Sequence, residues 1–259
     1  MRREVIGSCT LYQGDCLEIL PDIGGADAVI TDPPYAATAC DWDKAFDLAL
    51  FWRLAYAAIK KEAACCLFCQ MPFAADLYAS NRCDFRYDYV YVKPKLSRWL
   101  DANRKPMLAH ESVYVFSRIG RTKYNPQKIP GEPYKKNRGG LAQTYGCARQ
   151  LEVNSSGERY PTSIMQVKHD TCFYTGSKKA GMPIHPTQKS VAACSLLVKT
   201  YTDAGETVLD PFMGSGTTGV AAVKSGRGFI GIEQDQHWFD VACRRIEAAY
   251  RERALLDAQ

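Results

Sequence analysis

No stretch of this chain of 259 residues approaches the roughly 18 consecutive apolar residues that a membrane-spanning helix requires. The opening segment, MRREVIGSCT, lacks the apolar core of a secretion signal. Together these absences make the cytoplasm the expected location and leave no membrane partner. A second cysteine pair is also missing. There are 11 cysteines, but an odd count in a large chain without a secretion signal argues against a disulfide framework. Cys66 and Cys69 form a lone CxxC within AACCLFC (63–69), and zinc would need two more suitably placed ligands. Reduced thiols on a buried strand are expected, with no metal. No internal repeat is present.

One region is short of acids. Between Lys93 and Arg149 stand 13 Lys or Arg against Asp101, Glu111 and Glu132, a charge of +10. The whole chain is +5, so the rest is −5. A basic block on an otherwise acidic body fits a polyanion partner. A solvated surface loop is the alternative.

What is present is an alternation of strand and helix patterns in an ordinary globular composition, 46% hydrophobic and 24% charged. Strands are expected at 8–14, 26–32, 63–69, 86–93, 112–118, 207–210 and 228–233. Helices are expected at 16–20, 43–61, 72–81, 191–201, 217–226 and from 236 to 253. The pattern fails from Ile119 to about Glu158, where Pro126, Pro130, Pro133 and the glycines at 131, 139, 140, 146 and 157 interrupt a basic stretch. That stretch reads as an irregular insertion. It resumes near TSIMQVK (162–168). Such alternation predicts a mostly parallel sheet.

Two motifs stand at predicted strand ends, where ligands bind in open α/β sheets. In TDPPY (31–35) the prolines stop the strand and fix the backbone beside Asp32 and Tyr35. In DPFMGSGTTG (210–219), Gly214, Gly216 and Gly219 follow a strand and open a helix, and Glu233 ends the next strand. That is a nucleotide-site context, with the acid placed to accept from ribose hydroxyls. A dinucleotide fold would need two mononucleotide halves after this turn, and 49 residues follow Asp210. An acid directly before the turn suits the cationic amino group of S-adenosylmethionine better than a pyrophosphate.

DPPY, HPTQK (185–189) and DPFMGSGTT, in that order, resemble the beta group of DNA amino-methyltransferases. TACDWD (38–43) and NRKPMLAHESVYVF (103–116) resemble phage and prophage members. The resemblance covers nearly the whole chain outside 119–158. Ser190 stands where the family often has proline. The resemblance implies a permuted Rossmann-like, seven-stranded methyltransferase sheet with helices on both faces. Residues 1–118 would form the catalytic half, 119–158 the target-recognition insertion, and 159–259 the cofactor half. CTLYQGD would lie beside FIGIE, from the opposite end of the chain.

It also implies roles. S-adenosyl-L-methionine would be the cofactor, and duplex DNA the partner; a homodimer is compatible with this reading. Asp32, Pro33, Pro34 and Tyr35 would be catalytic, with Asp32 and the Pro33 carbonyl accepting from the target amine and Tyr35 stacking on a flipped base. The cofactor would meet Asp15, Cys16, Asp32, Thr187, Gln188, Lys189, Asp210, Pro211, Phe212, Gly214, Ser215, Gly216, Thr217, Thr218 and Glu233. DNA contacts would come from Lys93, Lys95, Arg98, Arg121, Lys123, Lys135, Lys136, Arg138, Gln143 and Arg149. Asp before Pro-Pro-Tyr leans toward adenine N6 as the target, cytosine N4 being the alternative. A catalytically idle cofactor sensor that binds DNA is the reading from another class.

Overall fold

Apolar residues on both faces mark β3 (Ala26–Thr31) as a central strand, and all of its residues except Asp27 are buried. The computed structural model describes residues 2–36, 45–97, 99–133, 156–167 and 188–257. Around β3 the other strands are β1 (Arg2–Ile6), β2 (Cys9–Gln13), β4 (Ile59–Cys69), β5 (Phe85–Ser97), β6 (Leu108–Phe116), β7 (Ile164–Gln166), β8 (Thr207–Asp210) and β9 (Gly228–Glu233). The helices are α1 (Cys16–Ile19), α2 (Leu48–Ala58), α3 (Phe73–Ser80), α4 (Val191–Tyr201), α5 (Thr217–Lys224) and α6 (Gln236–Asp257).

These strands form one sheet in the order β1-β2-β9-β8-β3-β4-β6-β5-β7. Strands β2, β9, β8, β3 and β4 run parallel to one another, and β6 runs antiparallel between β4 and β5. The mostly parallel sheet is as expected, and it has nine strands among the described residues where seven were expected. β1 is added at one edge as a hairpin on β2, through a turn in which Gly7 adopts a φ of 56°. β7 is added at the other edge, parallel to β5. The expected long-range pairing is present: Cys9–Gln13 lies beside Phe229–Glu233 in parallel register.

Period two then sorts the core into two layers. Ala28, Ile30, Cys66 and Phe68 face α4, α5 and α6; Val29, Cys65, Leu67 and Cys69 face α1, α2 and α3. Cys66 and Cys69, three residues apart on β4, therefore point to opposite faces and do not form a ligand pair. Burial pushes both thiols up.

Helix α2 is shorter than its apolar period predicts. Asp47 caps it, accepting from the Leu50 amide at 3.0 Å, and residues 59–61 open β4 instead of ending the helix. Phe46, inside the helix expected at 43–61, precedes α2 and packs against Phe212.

The chain divides into two compact units, residues 1–125 with 163–259, and residues 126–162. Residues 119–125, expected in the insertion, stay with the first unit. There the Asn125 amide donates to the Thr200 carbonyl at 2.8 Å, and its side chain to Asp203 at 2.8 Å. The described part of the second unit is a short antiparallel bridge, Ile129 with Arg159, braced by a 2.9 Å ion pair of Lys128 and Glu158.

Candidate active site

Because five neighbouring strands are parallel, their carboxyl ends deliver Gln13, Thr31, Cys69, Asp210 and Glu233 to one edge. Asp32 follows β3 there. One of its oxygens, Oδ1, accepts from the Tyr35 hydroxyl at 2.6 Å; Oδ2 lies 2.9 Å from Lys189 Nζ. The same ammonium lies 2.8 Å from Glu111 Oε2, and Lys93 Nζ donates to Glu111 Oε1 at 2.6 Å. Lys93, Glu111, Lys189 and Asp32 thus form a row of alternating charges. Lys189 also sits 5.6 Å from the Tyr35 ring centroid and 5.3 Å from that of Phe68, within cation–π range. The Tyr35 ring is stacked on Phe73 at 5.3 Å.

The row is enclosed, and enclosure sets its titration. Burial raises the Asp32 carboxyl, and Lys189 only partly offsets this. Burial also pushes Glu111 up, but Lys189 and Lys93 together bring it below its usual range. Burial lowers Lys189, yet Asp32 and Glu111 outweigh it and the ammonium holds its proton more tightly than usual. The Tyr35 phenol is pushed far up, first by burial and then by Asp32, so it remains a donor.

The second part of the edge surrounds the turn after β8. Asp210 is buried and accepts at Oδ1 from Thr31 Oγ at 2.6 Å and from the Phe212 amide at 3.1 Å. Burial pushes its carboxyl up to about 7. The turn itself is held from behind by Arg245, whose Nη1 donates to the Ser215 carbonyl at 2.5 Å, Ser215 Oγ at 2.9 Å and Thr217 Oγ at 3.2 Å. Glu233 accepts from the Asp235 amide at 2.7 Å, and burial raises its carboxyl. The Gly14 amide donates to the Glu233 carbonyl at 3.0 Å, tying the β2 end to the β9 end. Asp15 caps α1 by accepting from the Leu17 amide at 2.8 Å, and the adjacent Cys16 is buried, its thiol pushed up to about 12 by that burial.

The glycines of the turn have different duties. At Gly214 (φ 50°) a β-carbon would meet nothing within 4 Å, so open space lies beside the backbone. At Gly216 (φ 78°) it would stand 2.9 Å from the Ala242 β-carbon, and at Gly219 2.5 Å from Ile246. Gly216, expected to face the cofactor, also lets α5 pack against α6. The remaining donor set fits S-adenosylmethionine: open space at Gly214, a buried carboxyl for an ammonium, and Glu233 for ribose hydroxyls.

Other expected residues fall elsewhere. Lys93, expected on DNA, is turned inward onto Glu111 and Ser97 Oγ. Lys123 pairs with Asp203 at 2.8 Å and with Glu206, beside the amino end of β8, the edge opposite Asp32. Acids at that end draw it away from the expected DNA contact. Arg121, nearby in sequence, is exposed. Lys189, expected on the cofactor, is paired with Asp32. Thr187, Arg98, Lys135, Lys136, Arg138, Gln143, Arg149 and the Lys95 side chain lie outside the described residues. Sequence reading missed Glu111, Thr31 and Arg245. An acid on an otherwise apolar-alternating strand was the available signal for Glu111.

Comparison with known proteins agrees with this geometry. A putative methylase of Escherichia coli, YubD, is 27% identical over 249 residues, covering 92% of this chain and 90% of its own. The E. coli DNA adenine methyltransferase YhdJ is 45% identical over 65 residues, but the match spans 22% of its length. The type II methyltransferase M2.DpnII of Streptococcus pneumoniae is 45% identical over 64 residues, 24% of its length. Among solved structures, the M1.HpyAVI–SAM complex superposes with a TM-score of 0.62 at 24% identity, covering 92% of this chain and 98% of that one. The cytosine-N4-specific PvuII DNA methyltransferase gives 0.65 at 16% identity, covering 96% and 93%. Residues 26–244 match the N6/N4 family described as DNA methylase, whose methyl donor is S-adenosyl-L-methionine, and the chain belongs to that family.

Proposed function

We propose that this protein transfers a methyl group from S-adenosylmethionine to adenine N6 at a specific site in duplex DNA, on a base turned out of the helix. The observation that carries this reading is the state of Asp32. Its two oxygens each take one donor, from Tyr35 and from Lys189, which leaves further lone pairs for an amine. An exocyclic amine is a weak nucleophile because its lone pair is delocalised into the ring. Acceptance of its N–H groups by Asp32 and the Pro33 carbonyl draws the nitrogen toward a tetrahedral shape and directs that lone pair at the methyl carbon.

The cofactor supplies the methyl already activated as a sulfonium. Asp210 and Glu233 hold its ammonium and ribose, and the space beside Gly214 admits it. Once the new N–C bond forms and the C–S bond breaks, the surplus amine proton leaves through Asp32 to solvent. Lys189 has the task of keeping Asp32 an acceptor where burial favours its neutral form. Tyr35 offers a fixed ring beside that acid, since Phe73 and the Asp32 bond hold it from two sides. A base removed from the stack gains stacking there.

The basic stretch 119–158 supplies target recognition in this reading, with 1–118 as the catalytic half and 159–259 as the cofactor half. Lys135, Lys136, Arg138 and Arg149 provide phosphate contacts and Gln143 a base-edge donor and acceptor. The choice of adenine rests on Asp as the first DPPY residue and on the similarity to YhdJ, which bears the adenine designation. Digestion of modified DNA to nucleosides and identification by mass tests it. N6-methyladenine is expected; N4-methylcytosine as main product overturns the base assignment, and unmodified DNA overturns the activity.

A further inference from the structure

The β5–β6 hairpin carries an apolar tip that the chemistry above does not use. Both strands flanking β6 are antiparallel to it, so β5 runs in the direction of β4 and its carboxyl end leaves from the catalytic edge. Ser97 pairs with Leu108 and closes the intervening loop, 98–107. That loop has its own framework: the Ala102 amide donates to the Trp99 carbonyl at 3.3 Å, and the Arg104 and Lys105 amides donate to the Asp101 carbonyl at 2.8 and 3.0 Å. Lys105 and Asp101 also form a 2.9 Å ion pair. On this hydrogen-bonded turn Trp99 is 69% exposed and Leu100 80% exposed, with Leu96 and Met107 exposed at its base.

A turn that holds an indole and a leucine in water has an unfavourable hydration that a polar loop would avoid. The surrounding charge names the occupant. Residues 94–107 carry Lys95, Arg98, Arg104 and Lys105 against Asp101. An apolar tip on a segment whose sequence holds four cations to one acid fits a polymer with phosphates outside and stacked rings inside, which is duplex DNA. The base of the hairpin is tied to the chemistry, because Lys93 of β5 and Glu111 of β6 join through Lys189 to Asp32. Trp99 follows Lys93 by six residues, so it lies at most about 20 Å from it along an extended chain.

We infer that Trp99 and Leu100 are a wedge that enters the base stack beside the target nucleotide and holds open the gap left by the extruded base. This rests on the DNA-methylating reading above. Apolar side chains that part base steps are a known physical device for bending and opening duplexes. Here the wedge and the acceptor acid belong to one sheet joined by the ion-pair row, so opening the stack and presenting the amine become one event.

The test uses the full chain, with a duplex bearing the site located by modification-sensitive sequencing and 2-aminopurine in place of the target adenine. Trp99→Ala with Leu100→Ala should bind S-adenosylhomocysteine like the parent, which shows an intact fold. The pair should lose most of the fluorescence gain on duplex binding. On the unmodified duplex it should slow single-turnover methyl transfer by about tenfold or more, the scale of one lost stacking contact. The salt dependence of DNA binding should stay the same, because no cation is removed. An abasic nucleotide opposite the target should restore the rate, and Trp99→Phe should retain most of it. Parent-like fluorescence and rate in the double variant overturn the wedge while leaving methylation in place. A parent that methylates no duplex overturns the function and the wedge together. A change in oligomeric state by light scattering, with DNA behaviour unchanged, assigns the tip to a second copy of the chain and overturns it also.

Discussion

Asp32 and Asp210 stand at the carboxyl ends of adjacent parallel strands, β3 and β8, and both are enclosed. Enclosure raises both carboxyls. They differ in their neighbours. Asp210 has a hydroxyl and a backbone amide, neutral donors that leave it titrating at about 7. Asp32 has an ammonium, itself paired with a second acid that a second lysine also holds. A buried carboxyl without a built-in cation is ready to receive one from a ligand. A half-buried carboxyl with a built-in cation is drawn back toward its charged form, in which it accepts a neutral N–H. The two acids differ because the chain supplies a salt bridge to one and only neutral donors to the other.

The largest effect should come from removing one acid and sparing the other. Asp32→Ala should lower single-turnover methyl transfer by about a thousandfold or more, a loss confined to the chemical step. Calorimetric affinity for S-adenosylmethionine should change less than about threefold. Near-parent turnover would remove Asp32 from the amine.

Next is the cation that separates the two cases. Lys189→Met should make Asp32 resemble Asp210, with transfer slowed about a hundredfold and the acidic limb of the pH–rate profile moved to higher pH. The direction follows because Asp32 must then lose its proton against burial and Glu111 without a compensating charge. A limb that stays in place would reduce Lys189 to packing.

The converse experiment concerns Asp210. Its carboxyl is neutral below about 7, whereas an ammonium ligand favours the charged form. Affinity for S-adenosylmethionine should therefore rise about tenfold between roughly pH 6 and 7, with a proton released, as read by calorimetry in two buffers of different ionisation heat. Asp210→Asn should abolish the pH dependence. Without ligand the sign reverses for folding. The unfolded carboxyl ionises above 3.8 while the folded one keeps its proton to about 7, so the Tm should fall as pH rises through that window.

The smallest effect should be Tyr35→Phe. It keeps the ring on Phe73 but removes the 2.6 Å donor to Asp32, and it should cost about threefold to tenfold in transfer rate. A parent-like rate would limit Tyr35 to its ring face.

Much of the architecture was readable because it is written in local chemistry. Proline pairs end β3, a glycine turn opens α5, and alternation marks β2 and β9. The parallel pairing of those two strands came from the family resemblance and not from any local pattern. β1 was missed because Arg2–Ile6 is an edge strand with few buried positions, which leaves no hydrophobic period. The end of α2 was missed because Ala58 and Ile59 pass from helix to strand without a loop. At the site, the acids at strand ends were visible, but their partners were not. Glu111 lies 79 residues from Asp32 in sequence, and its charge has meaning only once Lys189 is folded between them. Gly216 illustrates the reverse problem: a motif named the residue, while only the packing of Ala242 shows its purpose.

The partnership of Gln13 with Glu233 also governs when the protein can first work. These residues are 220 apart, and a ribosome adding about 5–20 residues per second needs on the order of 10 to 40 seconds to span them. During that interval the DPPY loop exists and the pocket for its methyl donor does not. β2 waits without its parallel neighbour until the last quarter of the chain has emerged. A nascent or prematurely stopped product therefore carries the DPPY loop without the β2–β9 pairing beside it.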